Sequence, residues 1–181
     1  LANLKAGSLD LIERALATDI KEIKADSKLK LAATTEIGFQ GLNVNIGNGP
    51  AGRDGPFGKG HPKAFQALEA AIDREAINQV VFNGEFLPGN QWVSPKSSYY
   101  QEKLPVPPRD LAKAKKLLTE AGYPNGVDIN WLVLNASEYR LVGEAVQAMV
   151  AEAGIRIKLD VIDLSQYQQF RLPPKRGDVM L

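Results

Sequence analysis

The stretch from Val127 to Val161 constrains the fold more than any other part of the chain. VDINWLVL (127–134) reads as a strand, reached from a turn at Asn125-Gly126. Ser137 or Glu138 starts a helix whose apolar face carries Leu141, Val142, Ala145, Val146, Met149 and Val150, and Gly154 closes it. Ile155, Ile157, Leu159 and Val161 then alternate with Arg156, Lys158 and Asp160, the pattern of a half-buried strand. A strand, a helix and a strand with joints this short form a crossover unit. The two strands are therefore expected to be parallel and their connection right-handed. The fold class that follows is α/β, a mixed sheet with flanking helices.

Other helices are marked by stripes and caps. In PKAFQALEAAIDREAINQVVFNG (62–84), Phe65, Leu68, Ala71 and Ile72 form one stripe and Ala76, Ile77, Val80 and Val81 another. Pro62 sits in a first turn, where a missing N–H costs nothing. Asp73 is expected to cap the second helix, and Asn83-Gly84 to close it. Asp110 caps a third helix with Leu111, Ala114, Leu117, Leu118 and Ala121 on its buried face; Gly122 ends it and Pro124 blocks continuation. Leu1 to Ala6 reads as the last turns of a helix stopped by Gly7, and Ala17 to Lys24 as a helix with Ile20 and Ile23 on one face. Ser165 is expected to cap a short helix to Phe170, before Pro173-Pro174.

The remaining segments read as strands and loops. Leu9 to Ile12 is expected to be a short strand, and Leu29 to Thr35 with Gly41 to Ile46 an antiparallel hairpin across Glu36–Gln40. GNGPAGRDGPFGKGH (47–61) contains GxGxxG at Gly47, Gly49 and Gly52. Pro50 and Pro56 interrupt it, and no helix opens at the third glycine to face a pyrophosphate. Gly60 rather than Ser or Thr follows Lys59, so it is no phosphate loop either. An irregular surface loop is expected. Glu85 to Arg109 is loop-rich, and its Trp92, Tyr99 and Tyr100 are expected to pin it to the core, with anchoring of a ligand as the alternative role. Val179-Met180-Leu181 reads as a strand barely begun, so the chain is expected to be a fragment of a longer sequence.

Composition excludes several function classes. The 22 basic and 21 acidic residues are interspersed, leaving a net charge of +1 and no nucleic-acid footprint. No apolar run approaches the roughly 20 residues of a membrane helix. Without Cys there is no disulfide, thiolate metal site or cysteine nucleophile. The one His, His61, has no second ligand at a useful spacing, so no metal site is expected. Glu69, Asp73 and Glu75 suggest an acid/base set, but Asp73 serves better as a cap and the glutamates as solvated positions. Arg176-Gly177-Asp178 and Asn135-Ala136-Ser137 are formal adhesion and glycosylation matches of low specificity. A hydrolase or transferase domain is the alternative class, and it needs a polar catalytic cluster the sequence does not display. Residues 1–181 read as a single domain.

Taken in order, GSLDL (7–11), LNVNI (42–46), AIDREAI (71–77), NQWVSP (90–95), AKKLLTEAGYPNG (114–126) and GIRIKLDVI (154–162) resemble the peptide/nickel-type solute-binding proteins of ABC importers. The resemblance covers nearly the whole chain. It departs at the Gly/Pro loop 47–61, and Phe65 stands near where the family carries an Arg. It implies a truncated lobe of a larger, two-lobed type II periplasmic-binding-protein-like fold. It further implies a cofactor-free monomer that captures a peptide or another small solute (a sugar, an opine, a chelated metal) and delivers it to a membrane permease. The implied location is the periplasm, or the outer surface of a Gram-positive host through a lipid anchor. The ligand contacts it implies are Asn135, Ser137, Tyr139 and Arg140 after the first parallel strand and Leu164 after the second. Ser137 as a helix cap and Leu164 as a core residue are the competing readings. The family's amine-anchoring acidic residue lies beyond Val179.

Overall fold

Two parallel strands and the helix between them hold the rest of the chain in place. A computed structural model describes residues 1–35, 38–58, 62–171 and 179–180, with side chains described as far as residue 167. In chain order the elements are α1 (Ala2–Lys5), α2 (Ala17–Ala25), β1 (Asn43–Val44), α3 (Gly49–Asp54), α4 (Pro62–Ala71), α5 (Arg74–Phe82) and α6 (Leu111–Glu120). They continue with β2 (Val127–Leu134), α7 (Ser137–Ala151), β3 (Ile155–Ile162), α8 (Leu164–Arg171) and β4 (Val179–Met180). The sheet order is β1-β4-β2-β3, with β2 parallel to β3 and β4 and β1 antiparallel to β4. The expected mixed sheet and parallel crossover are both present.

Residues on the odd face of β2, Val127, Ile129, Trp131 and Val133, are buried beneath α7 together with Ile155 and Ile157 of β3. The helix can lie this close because Gly143 has no side chain. A Cβ there would stand 3.2 Å from Val133 and 3.4 Å from Leu159. Both strands start from a glycine at positive φ, Gly126 (+85°) and Gly154 (+92°). A Cβ on Gly126 would meet the Gly154 carbonyl at 2.2 Å, so only glycine lets the two strands begin in such close contact. On the even face, Arg156 grips Asp128 through two bonds of 2.7 and 3.0 Å. Hydrogen bonding from Arg156 lowers the Asp128 pKa from its ordinary 3.8. Stability from that pair is present above 3.8 and is lost as pH falls through the lowered value.

The helical layer follows the caps. Asp73 accepts the Ala76 N–H at 2.9 Å and Asp110 the Lys113 N–H at 2.8 Å, as expected of both. Of the expected stripes, Leu68, Ala71, Ile72, Val81, Ala114 and Leu118 are buried, and Phe65 and Val80 are not. On α4 the buried residues are Ala64, Ala67, Leu68 and Ala71, while Phe65 is 41% exposed. The reason is close packing of α4 on α6, where Ala114 is also fully buried; small side chains suit that seam and a phenyl ring does not. On α5, Asn78, Val81 and Phe82 turn inward and Val80 is 75% exposed. Leu141 and Val161 are likewise exposed despite their place in apolar stripes.

Several local expectations are corrected. Leu9 to Ile12 and Leu29 to Thr35 form no strand, and of 41–46 only Asn43 and Val44 do. β1 pairs with β4 from the other end of the chain, so the hairpin across Glu36–Gln40 does not exist. The Gly/Pro loop contains α3, because Pro50 occupies the first-turn position a helix accepts and Gly52 fits against the Asn45 side chain. Ser137 is the first residue of α7 and not its cap, since Ala136 holds the cap position without a side-chain bond. Ser165 lies inside α8, which begins at Leu164. Trp92 and Tyr99 point outward at 78% and 79% exposure, so they do not pin their loop to the core. Lys59, Gly60, His61, Pro173-Pro174, Arg176-Gly177-Asp178 and Leu181 lie outside the described residues.

Candidate functional site

In open α/β sheets, ligands sit beyond the carboxyl ends of parallel strands. Here β2 and β3 end side by side, with Leu134 opposite Ile162, and the chain leaves through Asn135 and Asp163. The Asn135 N–H donates to the Ile162 carbonyl at 2.8 Å, continuing the ladder by one bond. The Asn135 side-chain amide donates to Asp163 Oδ1 at 3.1 Å and ties the two exits together. Asp163 is fixed a second time, by its own N–H donating to Gln166 Oε1 at 3.1 Å.

The expected ligand residues divide into two groups. Asn135, Ser137 and Leu164 come together at this edge, as the first residue after β2 and the first residues of α7 and α8. Ser137 is exposed, and Leu164 is 61% exposed, which removes the core-packing reading for the leucine. Tyr139 is half-buried and packs against the core beneath α7. Arg140 is exposed one turn into α7, with its Nη2 4.0 Å from Glu144 Oε1. That separation is a weak surface pair, and the guanidinium stays open to another anion. Asp163 and Gln166 were not among the expected residues. The signal for Asp163 lies in the register: the offset that pairs Val127 with Ile155 puts residue 135 opposite residue 163.

Chemically, this edge offers amide, hydroxyl, carboxylate and guanidinium groups beside an exposed leucine. Such a set recognises a polar solute through hydrogen bonds and charge. Among the described residues no three His, Cys, Asp or Glu side chains meet to hold a metal. Two open depressions lie elsewhere. One of about 300 Å³ sits between the start of α2 and the end of α5, and one of about 470 Å³ between β1 and α3. No helix among the described residues is long and apolar enough to cross a membrane.

Comparison with known proteins locates the chain. A model of the bacterial extracellular solute-binding proteins, family 5 (middle), matches residues 1–179. The glutathione-binding protein GsiB of Pectobacterium atrosepticum is 33% identical over 147 residues, 81% of this chain and 27% of that protein. Its counterpart in Salmonella typhi is 33% identical over 142 residues, 78% of this chain and 26% of that protein. The chain thus spans about a quarter of the length of these curated relatives. Among solved structures, the periplasmic binding protein AgaA of A. tumefaciens, in complex with agropinic acid, superposes with a TM-score of 0.76. It is 27% identical and covers 99% of this chain and 35% of its own. The periplasmic binding protein DppA of Helicobacter pylori, in complex with peptide STSA, gives 0.73 at 18% identity, covering 99% of this chain and 33% of its own, a likeness of fold.

Proposed function

The chain belongs to family 5 of the bacterial extracellular solute-binding proteins, and from that membership we propose that it supplies one lobe of the substrate-binding component of an ABC importer. The lobe takes up one side of a short peptide or a related small solute. The observation that carries this is the family match, which runs through residues 1–179, includes β1, β2 and β3 and reaches the first residue of β4. The type II periplasmic-binding-protein fold agrees with it. Residues 1–181 form one domain of a larger two-lobed receptor, a reading supported by the greater length of the relatives. The receptor works outside the cytoplasm, in the periplasm or tethered to the cell surface, and hands its ligand to a membrane permease. Its role is capture without turnover and without a cofactor.

Within this lobe the ligand lies against the exits of β2 and β3. Asn135 and Ser137 offer hydrogen bonds, Arg140 an open guanidinium for a carboxylate, and Leu164 an apolar contact. Tyr139 acts from below, by holding the first turn of α7 against the core. The test is substitution in the receptor at its natural length, titrated with di- to pentapeptides and with glutathione. Asn135→Ala and Arg140→Ala are each expected to weaken binding by about tenfold, or 1.4 kcal/mol, with the melting temperature unchanged for Arg140→Ala. Unaltered affinity in both variants would remove the strand exits from the ligand site.

A further inference from the structure

The register of the sheet brings an aromatic pair to the edge where β2 and β3 end. Asn43 of β1 stands opposite Met180 of β4, and Met180 opposite Leu132 of β2. β1 runs antiparallel to β4, and β4 parallel to β2. The residues that lead into Asn43 therefore leave the sheet at the end where Asn135 follows β2. Only β4 separates β1 from β2, so their backbones are roughly 10 Å apart. Phe39, shortly before Asn43, thus belongs to the same edge as Asn135 and Asp163, across β4 from them.

The pair is a fixed surface. The Phe39 ring rests on the bare backbone of Gly41, where a Cβ would stand 3.1 Å from it. It meets the Trp92 ring edge-on, with centroids 5.0 Å apart at 79°, an arrangement that aromatic quadrupoles favour. The loop that carries Trp92 is tied down in three places. Buried Asn78 donates to the Phe86 carbonyl at 2.8 Å and accepts the Phe86 N–H at 3.1 Å. Gln91 donates its side-chain amide to the Gln101 carbonyl and accepts the Gln101 N–H, both at 3.0 Å. Lys96 Nζ donates to Thr34 Oγ1 at 3.3 Å, which joins the loop to the segment leading to Phe39. Yet Phe39 is 55% and Trp92 78% exposed. Adjacent exposed rings mark a contact surface, and rings already held in place lose little entropy when they are covered.

We infer that Phe39 and Trp92 form an apolar subsite of the ligand cleft and select a short peptide with an aromatic or large apolar side chain near its amino end. The inference rests on the receptor reading above and adds a substrate class to it. Continuity with the strand exits identifies the occupant. A peptide whose carboxylate meets Arg140 beyond β2, and which lies across the strand ends, reaches the rings next. An extended peptide rises roughly 3.3 Å per residue, so crossing from β2 to β1 takes two or three residues. The favoured side chain therefore sits two or three residues before the carboxyl end. Its burial against the rings removes apolar surface of both partners from water.

Calorimetry on the receptor at its natural length, with the tripeptides Phe-Gly-Gly, Gly-Gly-Phe and Gly-Gly-Gly, tests this. Phe-Gly-Gly is expected to bind about tenfold or more tighter than Gly-Gly-Gly, the scale of burying one phenyl ring. Gly-Gly-Phe should gain much less, because its ring is next to the carboxylate. In Trp92→Ala the ratio between Phe-Gly-Gly and Gly-Gly-Gly is expected to fall towards one, and Trp92→Phe, which keeps a ring, should retain most of it. Equal affinities for the three peptides would overturn the proposal. That is also the result if another part of the receptor, or a second copy, covers the rings. A preference that survives Trp92→Ala unchanged would overturn it as well. The peptide series on the unaltered receptor decides the matter even if a variant fails to fold. Binding of the peptides without preference rejects the aromatic subsite alone. No binding of these peptides or of glutathione rejects the receptor reading, and the subsite falls with it.

Discussion

Asp73 and Asp110 each lend a side-chain oxygen to the first free N–H groups of a helix, at 2.9 and 2.8 Å. Such a cap satisfies a donor that no carbonyl within the helix can reach. Asp73→Ala is expected to lower stability by about 1 kcal/mol, read as a shift of the urea midpoint at constant slope. A midpoint that does not move would mean water serves the Ala76 N–H equally well. Both caps were legible in the sequence because capping is local, a matter of one residue and the three that follow. The tie between Asn135 and Asp163 is also a single hydrogen bond, but its partners are 28 residues apart. It becomes visible only once the strand register is known, so Asp163 escaped a reading made along the chain. Phe65 and Val80 were misplaced for a related reason. Their stripes are compatible with burial, but the neighbour decided which side turned inward, the alanine seam between α4 and α6 for Phe65 and the contact of α5 with α7 and α2 for Val80.

At the scale of elements, the crossover unit was legible throughout because its periodicity changes cleanly from two to 3.6 and back, with glycines at the joints. In the first third of the chain α1 and α2 were legible, but α3 and the strand pairing were not. β1 pairs with β4 from the far end of the chain, and the segment expected to pair with β1 forms no strand. A strand-like composition states only that a residue run fits a sheet, and the partner has to be supplied by tertiary structure. Arg109 illustrates how elements distant in sequence are joined. Its Nε donates to the Ala71 carbonyl at 2.9 Å, and its Nη2 donates to the Met149 carbonyl and to Glu152. One guanidinium thereby closes the carboxyl ends of α4 and α7, where free carbonyls and the helix dipole favour a cation. Arg109→Ala is expected to cost roughly 2 kcal/mol, the range for hydrogen bonds to a charged group. Arg109→Lys should recover less than half of it, because an ammonium lacks the planar fork that reaches both helix ends. Urea melts of the three proteins check this, and an alanine variant within a few tenths of the parent would show that the guanidinium is dispensable.

For the molecule as a whole, the decisive quantity is how much of a ligand one lobe can hold. A two-lobed receptor gains affinity by closing both faces over the solute, which excludes water and strengthens each polar contact. One lobe keeps part of that contact area while the full loss of translational and rotational freedom, at least several kcal/mol, still has to be offset. The exits of β2 and β3 form an open edge lined by exposed Asn135, Ser137, Arg140 and Leu164, consistent with one face of such a cleft. Titration calorimetry with a di- to pentapeptide mixture and glutathione, on the 181-residue chain and on the polypeptide at receptor length, measures this directly. The short chain is expected to bind more weakly than about 1 mM, roughly −4 kcal/mol, and the long one orders of magnitude more tightly. Micromolar binding by the 181 residues alone would contradict a ligand site shared between two lobes.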